Sequence, residues 1–139
     1  MPEFNTQLKL RIDWSEMDLF GHVNNVSFFK YVQAARVNYW ELTGLNELYK
    51  TSNIGPTLAA VNCQFKRSLH YPGSVTVQTK VDWIKNSSLQ ISHQILNEKN
   101  EIAAEGQDVI VMFDYNKNEK VAIPDVIRSV IEKREGKTF

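Results

Sequence analysis

The sequence predicts an α+β fold in which an antiparallel sheet curls around one long central helix, and three observations carry that reading. A single stretch, Val26 to Thr43, holds helical periodicity over many turns. The chain from Thr57 to Phe113 is a succession of strand patterns separated by short polar turns. One further strand pattern precedes the helix. A sheet with one face to bury can bury it on one helix by curling around it, and short turns favour antiparallel meanders over a parallel sheet.

Leu8, Leu10, Ile12 and Trp14 alternate with Lys9, Arg11 and Asp13, the period of a strand with one buried face. An irregular segment, Ser15 to Asn25, follows. Asn24 or Asn25 suits the N-cap of the helix, because a short side-chain oxygen accepts from the first-turn amides, and Gly44 suits its end. At about 100° per residue, Phe28, Val32, Ala35, Tyr39 and Leu42 share one side, flanked by Phe29, Tyr31 and Trp40, with Lys30, Gln33 and Glu41 opposite. Leu45 to Ile54 reads as loop. Ala59, Val61, Cys63 and Phe65 then alternate within a strand from Thr57 to Lys66. Tyr71-Pro72-Gly73 turns into Val75, Val77, Thr79, Val81 and Trp83; Asn86-Ser87 separates that strand from the segment Leu89 to Leu96; Asn97 to Asn100 turns into a strand from Glu101 to Phe113. Pro124 opens a short amphipathic helix with Val126, Ile127, Val130 and Ile131.

Composition narrows the class. The 139 residues fit a single domain spanning 1–139. Lysine plus arginine and aspartate plus glutamate balance at 16 each, so there is no electrostatic reason to expect nucleic acid or an anionic membrane as partner. Cys63 is the single cysteine, which excludes an intrachain disulfide and a thiolate zinc cluster. No basic stretch followed by an apolar one stands at the N-terminus, and no apolar run approaches the roughly 20 residues of a membrane helix, so the cytoplasm is the expected location.

Chemistry concentrates in Asp13-Trp14-Ser15-Glu16-Met17-Asp18-Leu19-Phe20-Gly21-His22-Val23-Asn24-Asn25, between the first strand and the long helix. A carboxylate, a glycine that permits close backbone approach, and the unpaired amides of a helix start meet there. These suit thioester hydrolysis: backbone amides near Gly21 to Val23 would hold the carbonyl oxygen as it gains charge, and Asp18 would attack the carbonyl or take a proton from water.

The segment resembles the signature of the 4-hydroxybenzoyl-CoA thioesterase branch of the hotdog-fold superfamily. The pattern stands here as Asp18, Leu19-Phe20, Gly21-His22-Val23-Asn24-Asn25, Phe28-Phe29 and Ala35-Arg36, and the subgroup with Gly-His-Val-Asn-Asn includes acyl-CoA thioesterases acting on fatty acyl chains. Phe65-Lys66-Arg67 is similar to the family's strand after the helix, and Asn86-Ser87-Ser88 to its short serine motif. Met17, Ser68 and Ser74 depart from the threonine, proline and acidic residue usual at those places. The resemblance implies a hotdog fold, catalysis by Asp18, a carbonyl held by amides around Gly21 and His22, and coenzyme A lying across a subunit interface of a homodimer, or a dimer of dimers, formed sheet edge to sheet edge. Coenzyme A is then part of the substrate; no cofactor, metal, nucleic acid or membrane partner is expected.

Several residues carry two readings. His22 orients substrate, polarises the carbonyl or tunes Asp18, or else is a structural histidine; Asn25 contacts substrate or caps the helix. Arg67 and Lys85 suit the coenzyme A phosphates, or are solvated strand-end charges. Ser87 and Ser88 bond pantetheine or make a turn. Tyr31, Tyr39 and Trp40 read as core rather than acyl pocket, Cys63 as inert packing, and His70 and His93 have no ligand spacing. Two alternatives stand beside hydrolysis: hydration or dehydration of an enoyl or hydroxyacyl thioester, for which the resemblance to dehydratases of this fold implies a catalytic histidine paired with an acid on the central helix, where only Glu41 is available, and non-catalytic acyl-CoA binding.

Overall fold

The computed structural model describes residues 4–139. Its elements are β1 (Thr6–Arg11), α1 (Asn25–Thr43), α2 (Leu45–Ser52), β2 (Ile54–Phe65), β3 (Ser74–Ile84), β4 (Ser88–Leu96), β5 (Ile102–Asp114), β6 (Glu119–Lys120) and α3 (Asp125–Glu135). The strands form one antiparallel sheet in the order β1-β3-β4-β5-β2, with β6 joined to the end of β5. Helix α1 packs on one face, against β1, β3 and β4.

The helix is bounded as its sequence dictates. The Asn24 side chain accepts from the Ser27 amide at 2.8 Å, and Gly44 ends the helix in the left-handed region at φ 84°. Phe28, Tyr31, Val32, Ala35, Tyr39 and Trp40 are all buried, each large side chain contributing roughly 1.5–3 kcal/mol of burial. Tyr31 and Tyr39 send their hydroxyls to Glu16 and Glu135, so both are core residues. Leu42 is exposed instead: the chain reverses at Gly44 and Leu45, the first residue of α2, takes the buried place.

Other departures have local causes. β1 stops at Arg11 rather than Trp14, because Asp13 opens a capped 3-10 turn: its carboxylate accepts from the Ser15 amide and its own amide donates to the Glu16 carboxylate, each at 2.8 Å. Trp14 is therefore exposed. The segment read as loop holds α2. On α3 only Ile127 and Ile131 are buried, leaving Val126 and Val130 outside. No helix among the described residues is long and apolar enough to cross a membrane.

β2 lies at a sheet edge, and this positions the site. A register shift between Leu58 and Ala60 sets Leu58 opposite Ile110 and Val61 opposite Asp108, both buried residues of the helix-facing side. Leu58, Val61 and Phe65 consequently line that side, yet remain 42%, 41% and 48% exposed, because no element among the described residues pairs with this edge.

Candidate active site

The loop between β1 and α1 is built on Glu16. Its buried carboxylate accepts from the Asp13 amide, the Tyr31 hydroxyl and Lys30 Nζ at 2.8, 2.7 and 3.0 Å, tying the loop to the first turns of α1. Burial pushes the Glu16 pKa up, but these three donors outweigh it and hold it below the ordinary value. Asn24 completes the anchor, with its backbone and side-chain amides both donating to the Glu16 carbonyl.

Asp18 stands on this platform, exposed. Its Oδ1 accepts from the Phe20 and His22 amides at 2.9 and 3.0 Å, while its own amide donates to the His22 carbonyl at 2.7 Å. The turn needs Gly21, which sits at φ 82°. Oδ2 takes no hydrogen bond among the described residues.

Two clefts meet at this carboxylate. One is lined by Asp18, His22, Val23, Asn25, Phe28 and Phe65 to Ser68, so Lys66 and Arg67 bring positive charge to the mouth of an aromatic-walled groove. The other is lined by Trp14, Met17, Leu19, Gly21 and Tyr71. Asp18, His22, Asn25 and Arg67 thus line one cleft. Arg67 is more than half exposed and lies 3.6 Å from Glu101.

The amides expected to hold a carbonyl are otherwise engaged. Gly21 donates to the Asp18 carbonyl at 3.3 Å, His22 to the Asp18 carboxylate, and Val23 to the Leu69 carbonyl at 2.8 Å, with the Val23 side chain in the core. The loop folds back on its own carboxylate, a closure that sequence spacing does not reveal. The first-turn amides of α1, at Asn25 and Val26, have no intrahelical acceptor, and Asn25 lines the same cleft.

Lys85, Ser87 and Ser88 do not join the site within one chain. They form the β3–β4 turn, where the Lys85 amide donates to Ser88, the Met112 amide to Ser87, and Lys85 Nζ stands over the Trp83 ring. The site lies by Ser74 at the other end of β3, some ten residues or about 30 Å away. Glu41 is exposed, accepts from Asn46 and lines neither cleft.

His70 is the residue that sequence reasoning missed. Remote along the chain, it is brought by the segment after β2 to 5.0 Å from His22, ring centroid to ring centroid. His93 is buried between Thr79 and Asp108, and no group of three or more histidine, cysteine, aspartate or glutamate residues suited to a metal occurs among the described residues. A depression on the outer face of the sheet, walled by Asn62, Gln64, Ser92 and Gln107, has no helix start beside it and holds no motif residue.

Known proteins agree with this architecture. The family model of the thioesterase-like superfamily matches residues 12–131. The chain is 28% identical over 131 residues to the chloroplastic acyl-acyl carrier protein thioesterase ATL3 of Arabidopsis thaliana, covering 93% of this chain and 68% of that protein. Its fold superposes on a thioesterase of Thermus thermophilus, complexed with coenzyme A and Zn, with a TM-score of 0.87 at 24% identity over 100% of both chains. A DHNA-CoA thioesterase from Staphylococcus aureus gives 0.81 at 22% identity over 96% of both. With the family match running from the residue after β1 into α3, the chain belongs to the thioesterase-like superfamily and has its hotdog fold.

Proposed function

We propose that the protein hydrolyses an acyl-CoA thioester, of a fatty acyl group as in the branch its motif resembles, to the free acid and coenzyme A. The observation that carries this reading is the Asp18 carboxylate beside the first turn of α1, in a cleft that also presents Lys66 and Arg67. The thioester carbonyl lies against the Asn25 and Val26 amides, where donors and helix dipole stabilise the developing oxyanion. Asp18 Oδ1 is held by the Phe20 and His22 amides, so Oδ2 acts, either taking a proton from water as it adds or adding to the carbonyl itself. Collapse of the tetrahedral intermediate breaks the C–S bond. In the first route the thiolate takes the proton that Asp18 removed from water, and the free acid is formed directly. In the second it leaves an acyl–Asp18 anhydride, which water then hydrolyses to the acid and the Asp18 carboxylate, the water's proton going to the thiolate. The Phe28 and Phe65 walls receive the acyl chain.

The working unit in this reading is one domain, paired with a second copy through the free β2 edge, in the cytoplasm and without a cofactor. A two-fold pairing there reverses the second sheet, bringing that copy's Lys85, Ser87 and Ser88 turn to the Asp18 end. In this way these residues meet the coenzyme A portion.

The test is thiol release from acyl-CoAs of short, long and aromatic acyl groups by wild type and Asp18→Asn. Turnover should fall by about 10²–10⁴ in the variant while acyl-CoA binding and thermal stability persist. Equal turnover by Asp18→Asn removes the mechanism. Binding without thiol release from any thioester favours a carrier or sensor instead. Single turnover in ¹⁸O-water identifies attack by Asp18 when the first product acid lacks ¹⁸O and the label appears in Asp18, the outcome of water opening the anhydride at the Asp18 carbon.

A further inference from the structure

One peptide group links His70 to the Asp18 carboxylate. The Gly21 carbonyl and the His22 amide hydrogen are the two ends of a single planar unit. At one end His70 Nδ1 lies 3.3 Å from the carbonyl oxygen; at the other the amide donates to Asp18 Oδ1 at 3.0 Å. A carbonyl oxygen only accepts, so Nδ1 carries the hydrogen. The His70 ring also stands edge-on to His22, with an interplanar angle of 69°.

The loop has little else at this point. Gly21 has open space around its α-carbon, and the neighbouring Leu19 and Phe20 are 92% and 79% exposed. The nearest outside anchor is the adjacent bond from the Val23 amide to the Leu69 carbonyl. Residues 69 and 70 therefore strap the loop, and the bond at 70 sets the tilt of the peptide plane whose amide hydrogen aims at Asp18. Donation to a carbonyl also polarises its own amide and makes the N–H a stronger donor.

We propose that His70 is a positioning residue, acting through the Gly21–His22 peptide to fix the Asp18 carboxylate. The inference rests on the hydrolytic reading above for its effect on rate, and on geometry alone for its effect on the loop. His70 is exposed and touches no reacting atom, so its removal leaves the fold intact.

His70→Phe keeps a ring against His22 and loses the bond; His70→Asn keeps an N–H donor near the same place. For His70→Phe, kcat should fall about three- to tenfold, the scale of one hydrogen bond, with KM within about twofold. His70→Asn should stay close to wild type. Amide hydrogen exchange over residues 18–23, measured without substrate, should be several-fold faster in His70→Phe and near normal in His70→Asn. The proposal is overturned if His70→Phe exchanges and turns over like wild type, or if His70→Asn is impaired as much as His70→Phe. Should Asp18→Asn retain activity, the hydrolytic mechanism falls, while the exchange comparison still decides the role of His70.

Discussion

Arg36 on α1 donates through Nη1 to Oδ2 of Asp108 on β5 at 2.8 Å, an ion pair that crosses the interior between helix and sheet. His93 Nε2 donates to the same oxygen at 2.8 Å, and the Thr79 hydroxyl meets His93 Nδ1 at 3.0 Å. Asp108 is fully buried and its Oδ1 has no hydrogen-bond partner. The network fixes the rotation of α1 over the sheet, and so the direction in which Asn25 and Phe28 present the site.

Breaking that pair should be expensive. Arg36→Met leaves a buried carboxylate short of a partner and should cost about 3–5 kcal/mol in urea denaturation, whereas Arg36→Met with Asp108→Leu should recover most of the loss. Burial pushes the Asp108 pKa up, but His93 and Arg36 outweigh it and hold it below the ordinary carboxylate value. A depressed pKa in the folded state means stability that is present at neutral pH and is lost as pH falls through the ordinary carboxylate range, about 4, and below. The stability advantage of wild type over Asp108→Asn should therefore shrink on acidification below about pH 4. An advantage that grew with acid would contradict the assignment.

Arg67 should act on affinity rather than chemistry. If it meets coenzyme A phosphate, Arg67→Ala raises KM for an acyl-CoA about five- to tenfold with kcat little changed, and the difference narrows at high salt. The same acyl group on N-acetylcysteamine, which lacks the phosphates, should show no KM difference between wild type and variant. Because Arg67 already lies near Glu101, Glu101→Gln should lower KM slightly.

The free edge makes a register prediction. Leu58 and Val61 share the helix-facing side because the bulge separates them by three residues. In a two-fold antiparallel pairing, Leu58 of one copy then falls opposite Val61 of the other, with the small Ala59 and Ala60 at the axis. In a Cys63→Ser background, Leu58→Cys with Val61→Cys should form a covalent dimer on mild oxidation. Directly opposed residues lie about 4.5–5.5 Å apart at Cα, within disulfide reach, whereas three residues along one strand span about 10 Å. Only monomer on a non-reducing gel would rule out this pairing.

Much of the fold was readable because its causes are local. The caps Asn24 and Gly44, the buried stripe Phe28, Val32, Ala35 and Tyr39, and the turns at Asn86-Ser87 and Asn97 to Asn100 each depend on residues within a few positions of one another. Asp18, His22 and Asn25 were readable as a group for the same reason. The short helix Leu45–Ser52 was not, because its eight residues make little more than two turns, with Leu45 and Leu48 alone meeting the core, too short a run for periodicity to distinguish from a loop.

By itself the sequence determined the order of the five long strands and the central helix, the bounds of that helix and the residues placed before its first turn, since hydrogen-bond capping and side-chain periodicity act over one or two turns of chain. Tertiary structure decided what those residues do. It folded the amides of Phe20 and His22 onto Asp18, set His70 against His22 across 47 intervening residues, sent Lys85 and Ser87 to the far end of the sheet, and left β2 paired with β5 on one side only among the described residues. These relationships depend on which strands pair and how the sheet closes on the helix, so they arise from distant segments meeting in space and leave no periodic trace along the chain.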